Sequence, residues 1–93
     1  MGKFRVIVAE NAILDIQKHL KSGNKATIKK IETILRELEI HPTFGTGQPE
    51  RLKYDYSGKW SRRINQRDRL IYSINDQTVT VEVLSAMGHY DDK

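Results

Sequence analysis

The period of the apolar residues changes once along this chain, from helical spacing before Pro42 to strict alternation after Pro49. In the first half, Ile13, Ile16 and Leu20 fall at i, i+3 and i+7. That spacing predicts an amphipathic helix over about Ala12 to Leu20. Ile28, Ile31, Leu35 and Leu38 repeat the stripe and predict a second helix over about Lys25 to Glu39, with Lys29, Lys30, Glu32, Arg36 and Glu37 on a solvated face. Gly23 and Asn24 lie between them, a left-handed stop followed by a cap, so the two helices form a hairpin.

In the second half the period is two. Trp60, Arg62 and Ile64 alternate with Ser61 and Arg63; Leu70, Tyr72 and Ile74 with Ile71 and Ser73; Val79, Val81 and Val83 with Thr80 and Glu82. These are strands with two distinct faces, and Asn75-Asp76 supplies a tight turn between the last two. An earlier β-branched run, Phe4 to Val8, predicts a first strand in the middle of the sheet. Pro42, Gly45, Gly47 and Pro49 predict an exposed loop from His41 to Pro49. The resulting order, strand, helix, helix, then strands, packs most simply as an α+β fold: two N-terminal helices on one face of a mainly antiparallel, twisted sheet. With 93 residues the chain is expected to form one domain spanning 1–93.

Charge narrows the partner class. Between Glu50 and Arg69 stand seven cations (Arg51, Lys53, Lys59, Arg62, Arg63, Arg67, Arg69) and three anions, an excess equal to the net charge of +4 of the whole sequence. A local positive excess suits a polyanion such as RNA, and a solvated basic face explains the count equally well. No cysteine is present, which excludes disulfides and thiolate chemistry. No apolar run approaches the ~20 residues that span a bilayer. The first residues lack the apolar core of a secretory signal, so a soluble cytoplasmic protein is expected.

Metal-free RNA cleavage requires a base for the ribose 2′-OH, cations for the phosphorane and an acid for the leaving 5′-oxygen. Glu50, Arg63, Arg69 and His89-Tyr90 supply those types in the second half. Taken singly, each has a plainer reading: Glu50 as a surface carboxylate, His89 as a solvated terminal side chain, Arg63 and Arg69 as strand-face cations. His19 and His41 show no metal-ligand pattern.

Four segments in fixed order alter that balance. Gly47-Gln48-Pro49-Glu50-Arg51-Leu52-Lys53, Ser57-Gly58-Lys59-Trp60-Ser61-Arg62-Arg63-Ile64, Arg69-Leu70-Ile71-Tyr72 and His89-Tyr90 resemble the motifs of the YoeB/Txe branch of the RelE toxin superfamily. The spacing agrees without a gap from Pro42 to Tyr72, and the helical half agrees more loosely. The resemblance implies a microbial-ribonuclease-like fold, the toxin role in a toxin–antitoxin pair, cleavage of messenger RNA in the ribosomal A site, and neutralisation by a YefM-like antitoxin. It leaves a homodimer open. It implies Glu50 as general base, Arg69 as phosphate-stabilising cation, His89 as general acid and Tyr90 as the adjoining aromatic. Lys53 and Arg63 match positions near the scissile phosphate, and Arg51 and Arg62 complete the expected RNA-binding set. No metal or organic cofactor is expected. Three departures stand out: Asp68 occupies the place of a histidine before the arginine, Ala9 that of a serine cap, and Asp91-Asp92-Lys93 extends beyond His89-Tyr90. The rival readings are a ParE-like gyrase poison, which does not share Glu50, Arg69 and His89-Tyr90 as a set, and an RNA-binding module without catalysis.

Overall fold

The computed structural model describes residues 3–53 and 58–88. In chain order it contains β1 (Arg5–Val8), α1 (Glu10–Ser22), α2 (Lys25–Leu38), β2 (Glu50–Arg51), β3 (Lys59–Arg63), β4 (Arg69–Asn75) and β5 (Thr80–Ser85). The strands form one sheet in the order β1-β5-β4-β3-β2. The pairs β2/β3, β3/β4 and β4/β5 are antiparallel, and β1 runs parallel to β5. The α+β architecture expected from the change of period is therefore present, with one correction. β1 is an edge strand, because the chain leaves it through both helices and re-enters the sheet at the far edge, in β2. Its burial alternates accordingly, with Val6 and Val8 packed on the core and Arg5 and Ile7 outward.

The helices cover one face. Ile31, Ile34 and Leu38 of α2 join Leu70, Tyr72, Val81 and Val83 in the core, with Ile64 and Ala86 at its ends. α2 begins at Asn24, whose side chain accepts from the Thr27 amide at 3.1 Å, and α1 ends at Gly23 in the left-handed conformation, φ 75°. Ala9 gives α1 no side-chain cap. The inward face of α2 includes Ile34, while Ile28 and Leu35 are half-buried, a small rotation from the expected stripe.

For α1 the rotation is larger and changes which residues matter. Ile13 and Leu20 are 43% and 53% exposed, and the helix buries Ala12 and His19 instead, with Ile16 packed on the core. Apolar spacing failed here because two inward positions are polar. Asp15 accepts from the Ala86 amide at 3.0 Å, and His19 Nε2 donates to the Ala86 carbonyl at 2.7 Å. Hydrogen bonding makes an inward polar side chain tolerable, so the helix turns its polar groups toward the chain leaving β5.

Two strand features also differ from the simple alternation. The β4–β5 connection is four residues long, Asp76 to Val79, rather than a two-residue turn; the Asn75 side chain accepts from the Gln77 and Thr78 amides, and Val79 has φ 51°. Farther along, Tyr72 pairs with Val83 but Ile71 with Ser85, so β5 carries an extra residue at Leu84.

Candidate functional site

Alternation assigns the side chains of β3 and β4 to two faces. Trp60 opposes Tyr72 and Arg62 opposes Leu70 on the helix-covered side, whereas Ser61 opposes Ile71 and Arg63 opposes Arg69 on the other side, which is open at Arg63 but buried at Ser61 and Ile71. Glu50 of β2 pairs with Ser61 and so joins the open face; Arg51 pairs with Trp60 and joins the other. The fold thus gathers Glu50, Ser61, Arg63 and Arg69 from three adjacent strands. Arg69 Nη1 lies 3.3 Å from Ser61 Oγ and 3.5 Å from Glu50 Oε1. The Glu50 side chain is 55% exposed and that of Arg69 22%, so their ion pair is long and open to water and an incoming anion competes with it.

An open cleft of about 380 Å³ lies against these groups, lined by Gly47, Gln48, Pro49, Glu50, Arg63 and Arg69. Gly47 forms its wall. Its carbonyl accepts from the Arg63 amide at 2.7 Å, its φ is 85°, and a Cβ there would come within 2.8 Å of the Arg63 carbonyl oxygen. Only glycine combines that backbone angle with so close an approach.

Arg62 is not among the surface cations, and its expected role in RNA binding is corrected. The side chain is 0% exposed and its guanidinium is spent on the protein itself. Nη1 donates to Glu37 Oε1 at 2.7 Å and to the Thr46 carbonyl; Nη2 donates to the carbonyls of His41 and Phe44; Nε donates to the Tyr72 hydroxyl at 3.2 Å. Tyr72 in turn donates to the Pro42 carbonyl at 2.6 Å. Glu37 also leaves its expected solvated face, accepting from the amide and hydroxyl of Thr46. Burial pushes the Glu37 carboxyl up, but the bonds from Thr46 and Arg62 more than offset this and leave it below its ordinary value. The loop from His41 to Pro49 is exposed at Thr43, Phe44, Gly45 and Gln48 as expected, but these bonds fasten it to the sheet and to α2, and Pro42 is buried. That fastening delivers Pro49 and Glu50 to the cleft.

Arg51 is separated from the cleft as well. Its guanidinium carbon lies 5.8 Å from the Trp60 ring centroid, and it lines a different hollow with Phe4, Phe44 and Trp60. Lys53 is exposed just beyond β2. His89 and Tyr90 lie outside the described residues. The last described residue, Gly88, accepts from the Arg69 amide at 2.7 Å and donates to Asp68 Oδ1 at 2.8 Å. Asp68, the departure noted in the sequence, is 7% exposed and also accepts from Asn65 Nδ2 at 3.0 Å. Burial raises its pKa, yet hydrogen bonds from Gly88 and Asn65, with the nearby His19 and Arg67, bring it below the ordinary value.

Sequence reasoning missed Ser61, although period two places it beside Arg63, and it missed the roles of Asp15, His19 and Asp68. Those three act through contacts distant in sequence, for which no local signal exists.

Comparison with known proteins agrees with this arrangement. The family model described as "YoeB-like toxin of bacterial type II toxin-antitoxin system" matches residues 9–90. Toxin YoeB of Synechocystis sp. is 37% identical over 70 residues, covering 75% of this chain and 79% of that protein. A YoeB/ParE toxin from Agrobacterium tumefaciens superposes with a TM-score of 0.82 at 28% identity, covering 94% of this chain and 100% of that one. The toxin in a YoeB–YefM complex from Staphylococcus aureus gives 0.75 at 32% identity, covering 94% and 98%. With a family model spanning nearly its whole length and a superposition covering 94% of it, the chain belongs to the YoeB-like toxins of bacterial type II toxin–antitoxin systems.

Proposed function

We propose that the open sheet face is the active site of an endoribonuclease that cleaves messenger RNA in the ribosomal A site, without a metal, and thereby stops translation. The observation carrying this reading is the meeting of Glu50 with Arg69 across a cleft also lined by Arg63. Glu50 removes the ribose 2′-proton, and the 2′-oxygen attacks the adjacent phosphorus. Arg69, with Arg63 and Lys53, offsets the charge that develops on the phosphorane oxygens. His89, the residue after Gly88 in the sequence, protonates the departing 5′-oxygen, with Tyr90 as the adjoining aromatic. The products are a 2′,3′-cyclic phosphate and a 5′-hydroxyl. A shallow cleft on so small a domain holds the message poorly by itself, and the ribosome supplies the in-line orientation. By analogy with the Staphylococcus aureus YoeB–YefM complex, the neutralising partner is a YefM-like antitoxin. A homodimer accords with the YoeB dimer solved from the same organism. The site of action is the cytoplasm.

Single-turnover cleavage on programmed ribosomes tests the reading, with cyclic-phosphate ends as the product signature. Translation arrest with intact message, or gyrase poisoning, would replace it with one of the rival activities.

A further inference from the structure

Beyond β5 the chain is no longer in the sheet, yet four consecutive-segment backbone groups are satisfied from elsewhere. The Ala86 amide donates to Asp15 Oδ2 at 3.0 Å, and the Ala86 carbonyl accepts from His19 Nε2 at 2.7 Å. The Gly88 amide donates to Asp68 Oδ1 at 2.8 Å, and the Gly88 carbonyl accepts from the Arg69 amide at 2.7 Å. The three side chains come from α1 and from the β3–β4 connection. His19 and Asp68 are 5% and 7% exposed, Ala86 is fully buried, and Asp68 is braced by Asn65, which itself reaches Thr27 of α2 at 3.4 Å. A terminal segment normally frays. Here the N–H and the C=O of both Ala86 and Gly88 are held, and Arg69 forms part of the holding.

We infer that Asp15, His19 and Asp68 are positioning residues for His89: they fix the path of Ala86–Gly88 and so set where the chain carrying the general acid departs relative to Arg69. The inference rests on the proposed function for the identity of the reaction. General acids act only within hydrogen-bond reach of the atom they protonate. Displacing such a group by about 1 Å costs about 100-fold in rate. Asp68 is also where this chain departs from the family motif, so this form of the clamp belongs to chains with a carboxylate before the arginine.

The test uses the full-length protein with Asp15→Ala, Asp15→Asn and Asp68→Ala. Single-turnover cleavage at saturating programmed ribosomes should fall about 10- to 100-fold in both alanine variants. The toxin concentration that half-saturates the ribosomes should change little. Asp15→Asn keeps an oxygen for the Ala86 amide and should recover most of the rate. Independently of activity, amide hydrogen exchange should accelerate at Ala86 in Asp15→Ala and at Gly88 in Asp68→Ala, while Val81 and Val83 stay protected. Wild-type cleavage rates in both alanine variants, or unprotected Ala86 and Gly88 amides in the parent protein, overturn the inference. A parent protein with those amides protected but no ribonuclease activity overturns the proposed function, and with it any role for His89.

Discussion

Arg62 and Glu37 meet at 2.7 Å, one from the middle of the sheet and the other from the last turn of α2, with the arginine side chain wholly buried. Every N–H direction of the guanidinium is directed at a protein oxygen, and four of those oxygens belong to the loop and helix that lead to Glu50. Removing the arginine leaves Glu37, 21% exposed and still held by Thr46, without its cation and leaves the carbonyls of His41, Phe44 and Thr46 without this donor, together a cost of ~3 kcal/mol. Arg62→Ala should therefore lower unfolding stability by roughly that amount, read from urea midpoints. Arg62→Lys should recover only part of it, since an ammonium has three donors and no planar fork. Near-parental stability in both variants would show that the loop is fastened by other contacts.

The acid side of the stability profile follows from Glu37 and Asp68. Both carboxyls are held below their ordinary values in the folded chain, against the upward push of burial. Their contribution is complete above the unfolded pKa and is lost as pH falls through that value and then through the lowered folded one. Stability should decline between about pH 5 and pH 3. Glu37→Gln should flatten that decline while lowering stability at neutral pH, as measured by denaturant titrations across the range.

Gly47 tests the wall of the cleft. Alanine there must take φ 85° and pushes a methyl against the Arg63 carbonyl. A left-handed L-residue alone costs ~1 to 2 kcal/mol. Gly47→Ala should lose at least that stability and, because the loop feeds Pro49 into β2, more than tenfold in cleavage. Gly58→Ala is a control: its φ is 88° but nothing lies within 4 Å of its Cβ direction. A loss of stability without a specific loss of cleavage is expected at that position.

Glu50→Gln keeps the shape of the side chain and removes the base. General-base catalysis contributes ~10² to 10⁴-fold, so single-turnover cleavage should drop by that factor with ribosome binding retained. Parental rates would take Glu50 out of the chemistry.

Exposed cations outside the cleft report on the antitoxin. Arg51 and Arg67 are both exposed, and an acidic segment covering the basic stretch should sense their charge. Combined Arg51→Glu and Arg67→Glu should weaken antitoxin binding roughly tenfold and reduce its salt dependence. Unchanged calorimetric affinity would place the docking surface on the helices instead.

The helices, β1 and β3 to β5 were legible because each depends on local period, whereas β2 was not expected and Glu50 reaches the face of Arg63 and Arg69 only through the pairing of β2 with β3. A residue two positions along a strand must share a face, whatever the rest of the fold does. Arg62 and Glu37 were misassigned for a physical reason: a charged residue reads as solvent-facing until a buried partner and several carbonyls are brought to it by the loop. The α1 stripe failed in the same way, since Asp15 and His19 face inward on the strength of bonds to Ala86. The place of β1 could not follow from its composition. An edge and a centre strand of four residues have the same β-branched signature, and topology alone distinguishes them.

The parallel pairing of β1 with β5 has a kinetic consequence. Among the described residues, Arg5 to Val8 pair with Thr80 to Val83. During synthesis the first strand therefore remains unpaired until β5 has emerged, and a product ending before β5 lacks both that pairing and the Gly88 carbonyl that accepts from the Arg69 amide. Such long-range closure slows folding, because the entropy of the intervening loop is lost before the final contacts repay it. A cell translating this message thus has an interval, set by topology, in which the residues of the cleft have been made but the sheet that carries them is incomplete.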